Sequence, residues 1–178
     1  MARFEVVSKY TDINLPKRQT EFSAGYDFEV AKDIIIEPYE HCKNILETQQ
    51  DYLPIDLQTL SSITKRTKVR PTLVPTGIKC KMAADEYLEI SVRSSCPLKY
   101  WLILANGVGI IDSDYYNNPS NEGHIFVKLK NEGDNDIILK KYDRYVQGII
   151  QKYYIVDNEN EIEDIRVGGI GSSGRRDK

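Results

Sequence analysis

The feature that most constrains this chain is how often it is punctuated. Short apolar or alternating stretches recur between turn signals: "FEVVSKY", "DIIIEP", "TLVPTGIKCKM", "YLEISV", "YWLILANGVGIID", "HIFVKLKN", "DIILKKY" and "YVQGIIQKYYIV". Their Val, Ile and Tyr content fits a pleated surface, and alternation at period two turns one side of each stretch to a core. A doubly wound α/β fold needs a long amphipathic helix between successive strands, and the sequence after residue 70 offers none. An all-β, mostly antiparallel domain is therefore expected. A chain of 178 residues supports one such core, burying roughly two thirds of the surface its unfolded form exposes, while two cores would be cramped.

Two segments break the pattern. In residues 41–70, "HCKNILETQQDYLPIDLQTLSSITKRTKVR", Cys42, Ile45 and Leu46 have helix-like spacing before Pro54 interrupts, and Leu57, Leu60 and Ile63 form a second set. One or two short helices are expected there, ending in the basic cluster "KRTKVR". That cluster reads either as a solvated face or as a contact surface for a protein regulator. Beyond Val156, "DNENEIEDIRVGGIGSSGRRDK" is acidic and polar, then rich in Gly and Ser, with too little apolar area to hold itself on a core. The expected organisation is a β domain over 1–156, an insertion at about 41–70, and a flexible arm over 157–178 that orders when something binds.

A net charge of -3 leaves no positive excess for sequence-independent binding to nucleic acid, although local groups can still hold a small anion. Cys42, Cys80 and Cys96 form no C-x-x-C, and His41 and His124 are the only histidines, which argues against a zinc site or a disulfide framework. With no secretory leader in "MARFEVVSKYTDINLPKR", the expected setting is reducing and cytoplasmic. No apolar run approaches the roughly 18 residues of a membrane span.

Several short stretches carry groups suited to an anionic ligand. In "GGIGSSG", glycines let successive N–H groups face one concavity, and Ser172 and Ser173 add hydroxyls. "SVRSSCP" offers Arg93, Ser94 and Ser95 at the end of an alternating strand. In "DRYVQ", Arg144 and Gln147 face opposite ways on a regular strand, so a bulge or turn is needed for both to reach one ligand. In "SAGYDF", Gly25 points to a close backbone approach, and Asp27 is a turn former or a support for a metal-bound water. "GVGIIDSDYY" sets Asp112 and Asp114 behind an apolar floor. If Asn106–Asp112 stay extended, Asn106, Val108, Ile110 and Asp112 share one face, and the two aspartates cannot be told apart by parity.

In order, "AGYDF", "RSS", "NGVGIIDSDYY", "DRYVQGI" and "GGIGSSG" resemble the five motifs of the trimeric deoxyuridine triphosphatases. The resemblance runs from about Ser23 to Gly174 and is interrupted by residues 41–70. It implies a distorted jelly roll, a homotrimer with active sites at subunit interfaces, and Mg²⁺-dependent hydrolysis of dUTP to dUMP and pyrophosphate. It assigns Asp112 to the attacking water and Tyr115 to the deoxyribose, where its bulk excludes a 2′-hydroxyl. Asn106 and the backbone around Gly109, Ile110 and Ile111 match the uracil-reading hairpin. Arg93, Ser94, Ser95 and Gln147 match phosphate contacts, Arg144 falls among the substrate-binding residues, Ile170, Gly171, Ser172 and Ser173 match the closing arm, and Asp27 matches the residue that supports the metal's water shell without ligating the ion. If Asp112 and Tyr115 serve one nucleotide, the chain must bend at Ser113 or Asp114.

The chain also departs from the family pattern. Ile170 replaces the aromatic that covers the base, Arg166 lies one position nearer the glycines than the family's arginine, and "YNNPSNEG" lengthens the turn after Tyr115. A related deaminase group that acts on dCTP shares the fold and the "RSS" signature, but needs a glutamate where Lys128 stands. A third reading is a nucleotide-controlled regulatory protein that contacts a partner through residues 41–70.

Overall fold

The computed structural model describes residues 1–39, 71–158 and Arg166. The short helices expected over 41–70, any regulator contact there, and the arm residues Ile170, Gly171, Ser172 and Ser173 lie outside the described residues.

Eleven strands form in chain order: β1 Arg3–Val6, β2 Tyr26–Glu29, β3 Ile34–Ile36, β4 Thr72–Pro75, β5 Ile78–Lys81, β6 Glu86–Val92, β7 Leu102–Leu104, β8 Gly109–Asp112, β9 Phe126–Asn131, β10 Ile137–Leu139 and β11 Arg144–Lys152. Each falls within or overlaps one of the stretches read as a strand, apart from β2, which carries "YDFE". Among the described residues the one α-helix, α1, is Ser95–Tyr100, too short to cross over a parallel sheet. It ends where Trp101 turns left-handed at φ 52°. The sequence reading did not anticipate this helix.

All the sheet pairings are antiparallel: β1 with β5, β3 with β10, β4–β9–β7 in a three-stranded sheet, and β2–β11–β6–β8 in a four-stranded one. This is the expected all-β jelly roll. Alternation is clean on β9, where Val127, Leu129 and Asn131 turn inward and Lys128 outward. Phe28, Val30, Ile36, Val74, Leu88, Ile90 and Leu102, with their buried neighbours, fill one core. Each such side chain, fully buried, contributes roughly 1.5–3 kcal/mol before the entropy of ordering is subtracted. The packing is tight at the centre of β11: a Cβ on Gly148 would stand 2.8 Å from Phe28 and 2.9 Å from Leu88.

Buried Asn131 is satisfied on both sides of its amide. Its Nδ2 donates to the carbonyls of Ile36 (2.9 Å) and Asn135 (2.8 Å), and its Oδ1 accepts from the Gly133 N–H (2.9 Å), tying β9 to β3. The four-stranded sheet matters most for function. "AGYDF", "DRYVQGI", "RSS" and "NGVGIID" fall on or beside its four neighbouring strands β2, β11, β6 and β8.

Candidate active site

At one end of the four-stranded sheet, Gln147 on β11 stands opposite Asp27 on β2 and Ser91 on β6. Directly opposed residues share a face, so the three lie side by side. Arg144, three positions before Gln147, would point away on a regular strand. The register between β11 and β2 slips between Arg144 and Val146, and this bulge at Tyr145 brings Arg144 back to the Asp27 side. There Arg144 Nη1 lies 3.3 Å from Asp27 Oδ2, while Arg93 Nε lies 3.2 Å from Asp27 Oδ1. Arg93 also donates from Nη1 to the Arg144 carbonyl at 3.3 Å. The bulge required by the spacing of "DRYVQ" is therefore present, as is the close approach expected at Gly25: a Cβ there would meet Gln147 Oε1 at 2.8 Å.

Arg93, Ser95, Lys99, Tyr100 and Arg144 help line a cavity of about 460 Å³ at this end. Ser94 precedes α1 and is exposed. In the cavity wall, Cys96 donates its Sγ–H to the Tyr145 carbonyl at 3.1 Å, and burial pushes its thiol pKa up. It is a protonated packing group, not a nucleophile.

On β8 the extended chain begins at Gly109, later than the "Asn106–Asp112" strand considered from sequence. Gly107 turns at φ 73°, its N–H reaching the Leu104 carbonyl at 3.1 Å, and so separates Asn106 from the strand. A small cavity of about 110 Å³ nonetheless gathers Asn106, Gly109, Ile110 and Ile111, and Lys128 borders it. The side chains of Ile110 and Asp112 face solvent, while Ile111 turns inward.

Directly after Asp112 the chain closes into a 3₁₀ turn, Ser113–Tyr115, which is the bend demanded if Asp112 and Tyr115 are to serve one ligand. Asp112 is extended at φ −75°, ψ 155°. Tyr115 is only 5% exposed, and its hydroxyl donates to the His124 carbonyl (3.0 Å) and accepts from Asn121 Nδ2 (2.8 Å). The long "YNNPSNEG" loop is organised by buried Asn118, whose Nδ2 donates to the Tyr115 carbonyl (3.0 Å) and whose Oδ1 accepts from the Ser120 and Asn121 N–H groups (3.1 and 3.2 Å). His124 Nε2 accepts from the Gly77 N–H at 2.9 Å. Burial, aided by the charge of Lys9, pushes its pKa down to about 4, so it is neutral.

Sequence reasoning missed the partner of the two aspartates. Arg166 Nε lies 2.8 Å from Asp114 Oδ1 and its Nη2 lies 2.5 Å from Asp112 Oδ2, with the guanidinium 5.9 Å from the centre of the Tyr115 ring. No local pattern links residue 166 to 112, so proximity in the fold is the only signal.

These two groups of residues stand apart. Asp112 pairs with Tyr87 near the start of β6, whereas Arg93 follows its end. Tyr87 and Arg93 are six residue steps apart, which at about 3.3 Å per step is about 20 Å.

The family model for dUTPase matches residues 54–174. The deoxyuridine 5'-triphosphate nucleotidohydrolase of Lactococcus lactis is 40% identical over 174 residues, covering 96% of both chains. The chain belongs to the dUTPase family. A crystal structure of dUTPase from Streptococcus mutans superposes with a TM-score of 0.68 at 39% identity, covering 86% of this chain and 98% of that one. A mutant dUTPase of Staphylococcus aureus phage phi11, described as revealing the coordination of a structural Mg(II) ion, has a TM-score of 0.61 at 14% identity and covers 92% and 97%. That last likeness speaks for the fold alone. Among the described residues no three His, Cys, Asp or Glu converge as a metal site. Asp27, the residue matched to the dUTPase metal shell, has both carboxylate oxygens beside guanidinium groups. Its surroundings fit an anion anchor better than a metal support.

Proposed function

We propose that this chain hydrolyses dUTP to dUMP and pyrophosphate in a homotrimer whose active sites form between subunits. The observation that carries the reading is that Asp112, paired with Tyr87 on β6, and Arg93, just past the end of β6, have backbones about 20 Å apart along that strand's direction. A triphosphate chain is far shorter than that. On this reading Asp112 activates the water at the α-phosphorus while Arg93 of another copy holds the phosphates.

In such a site Arg93, Ser94, Ser95, Arg144 and Gln147 hold the triphosphate, whose Mg²⁺ arrives as part of the substrate complex. Asn106 and the backbone of Gly109–Ile111 receive the uracil edge. A cytosine presents the wrong donors and acceptors to groups that cannot rotate. Tyr115, its hydroxyl tied at two points, is a fixed wall against a 2′-hydroxyl. Asp112 orients the water and accepts its proton as the new bond to the α-phosphorus forms and the bond to the β-phosphate oxygen breaks. Arg166 has to give up Asp112 for that step, and the arm's Ile170, Gly171, Ser172 and Ser173 then close over the nucleotide and exclude water. Lys128 beside the small cavity supports triphosphatase over deaminase chemistry, since an ammonium there cannot replace the deaminases' proton-carrying glutamate.

Subunit mixing tests the reading. Asp112→Asn and Arg144→Ala are each expected to be nearly inactive on dUTP, whereas trimers reassembled from a mixture regain pyrophosphate release. In mixed trimers some interfaces combine an intact Asp112 with an intact Arg144. Properly folded mixtures that stay inactive would sink the shared site.

A further inference from the structure

Asp27 is 8% exposed and does not line the 460 Å³ cavity, whereas Arg93 and Arg144 do. The carboxylate is thus more deeply buried than the two arginine side chains paired with it, which are 29% and 41% exposed. Each of its oxygens has a different arginine, Oδ1 with Arg93 Nε (3.2 Å) and Oδ2 with Arg144 Nη1 (3.3 Å). Further N–H donors remain on both forks for an outside ligand. Two unscreened guanidinium groups side by side repel each other, and a carboxylate between them relieves this while leaving the trio one positive charge for a polyanion. The backbone builds the same arrangement. The bulge at Tyr145 turns Arg144 toward β2, and the Arg93 N–H extends the ladder by donating to the Tyr145 carbonyl at 3.0 Å.

We propose that Asp27 is a positioning residue for the phosphate chain: it anchors Arg93 and Arg144 side by side from behind, and it does not support the metal ion. The inference rests on the dUTP reading given above for its kinetic arm only. Its binding arm uses inorganic pyrophosphate, a ligand that needs no turnover.

The test is Asp27→Asn, which keeps the shape and removes the charge. Pyrophosphate binding without added Mg²⁺, followed by calorimetry, is expected to weaken about tenfold as the arginines lose their common anchor. In kinetics the KM for dUTP should rise by a similar factor while kcat changes little. The Mg²⁺ concentration for half-maximal rate at saturating dUTP should stay where it is in the wild type. Unchanged pyrophosphate affinity, or a shift in Mg²⁺ requirement with KM unaltered, would overturn the assignment. Adding Arg144→Gln supplies a cycle: once Arg144 is gone, removing the Asp27 charge should cost less than it does alone, and strict additivity contradicts the anchor. If Asp27→Asn fails to fold, Asp27→Glu keeps the charge but displaces the arginines, and the same split between KM and Mg²⁺ requirement is expected. A wild type that binds pyrophosphate but leaves dUTP intact would refute the functional reading while leaving the anchor standing.

Discussion

The two ends of β6 are built on different principles. At its C-terminal end, Asp27, Arg93, Arg144 and Gln147 are held by cross-strand register, a bulge and mutual ion pairs, and the carboxylate at their centre is buried. At its N-terminal end Asp112 stands 52% exposed, held by a single guanidinium that comes from residue 166. The first end is preorganised for charge that is already present on a ligand. The second leaves its carboxylate half in water, and on the proposed reading a neighbouring subunit covers it. Fixed dipoles and charges cost no reorganisation when a polyanion arrives, whereas a base that must receive a proton gains from having its surroundings completed last.

The largest expected effect lies at the exposed end. Asp112→Asn keeps the volume and removes the proton acceptor, so kcat on dUTP should fall by about a thousandfold. Thermal unfolding should barely move, because the group is half in water and its one ion pair is worth little there. Full activity in the variant would break the contrast, since Asp112 would then not be the proton acceptor.

The next effect concerns what holds Tyr115 beside that carboxylate. His124 is buried as a neutral acceptor, with a folded-state pKa near 4 against an ordinary value of 6.5. Between those values the unfolded chain binds a proton that the folded chain refuses, so the contribution is intact above about pH 6.5 and is lost as pH falls toward 4. A shift of that size corresponds to about 3 kcal/mol at most. Urea unfolding at pH 7.5 and 4.5 checks the sign. His124→Gln should lower stability at the higher pH yet lose less on acidification than the wild type. Equal acid losses would mean that His124 is not the sensitive group at this end.

Much of this contrast was legible in the sequence, because parity arguments turn spacing into geometry. Arg144 and Gln147 could share a ligand only across a bulge, and Asp112 and Tyr115 only across a bend; both features are found where the residues required them. The strands followed from period-two patterning for the same reason. Tertiary charge pairing left no such trace. Nothing local joins Asp27 to two arginines far along the chain, or Arg166 to Asp112, since ion pairs depend on which strands become neighbours. The loop after Tyr115 looked only like a longer turn, yet Asn118 makes it a rigid support. Helix α1 escaped notice because six residues with a proline inside carry no helical period.

The smallest effect belongs to the preorganised end and has the opposite sign. Tyr145 is the bulge residue itself, its side chain is fully buried, and its hydroxyl is the one buried side-chain polar atom among the described residues with no hydrogen-bond partner. An unpaired buried hydroxyl costs roughly 1–3 kcal/mol relative to water. Tyr145→Phe removes that penalty and keeps the ring that fills the core, so unfolding should shift by about 1 kcal/mol toward greater stability. The bulge is held at the Tyr145 carbonyl, which accepts from the Arg93 backbone N–H and from the Cys96 Sγ–H, and the substitution leaves both bonds in place. The KM for dUTP should therefore be unchanged. A destabilised variant with a raised KM would show instead that the hydroxyl sets the bulge, and that the phosphate end depends on a polar contact as well as on strand register.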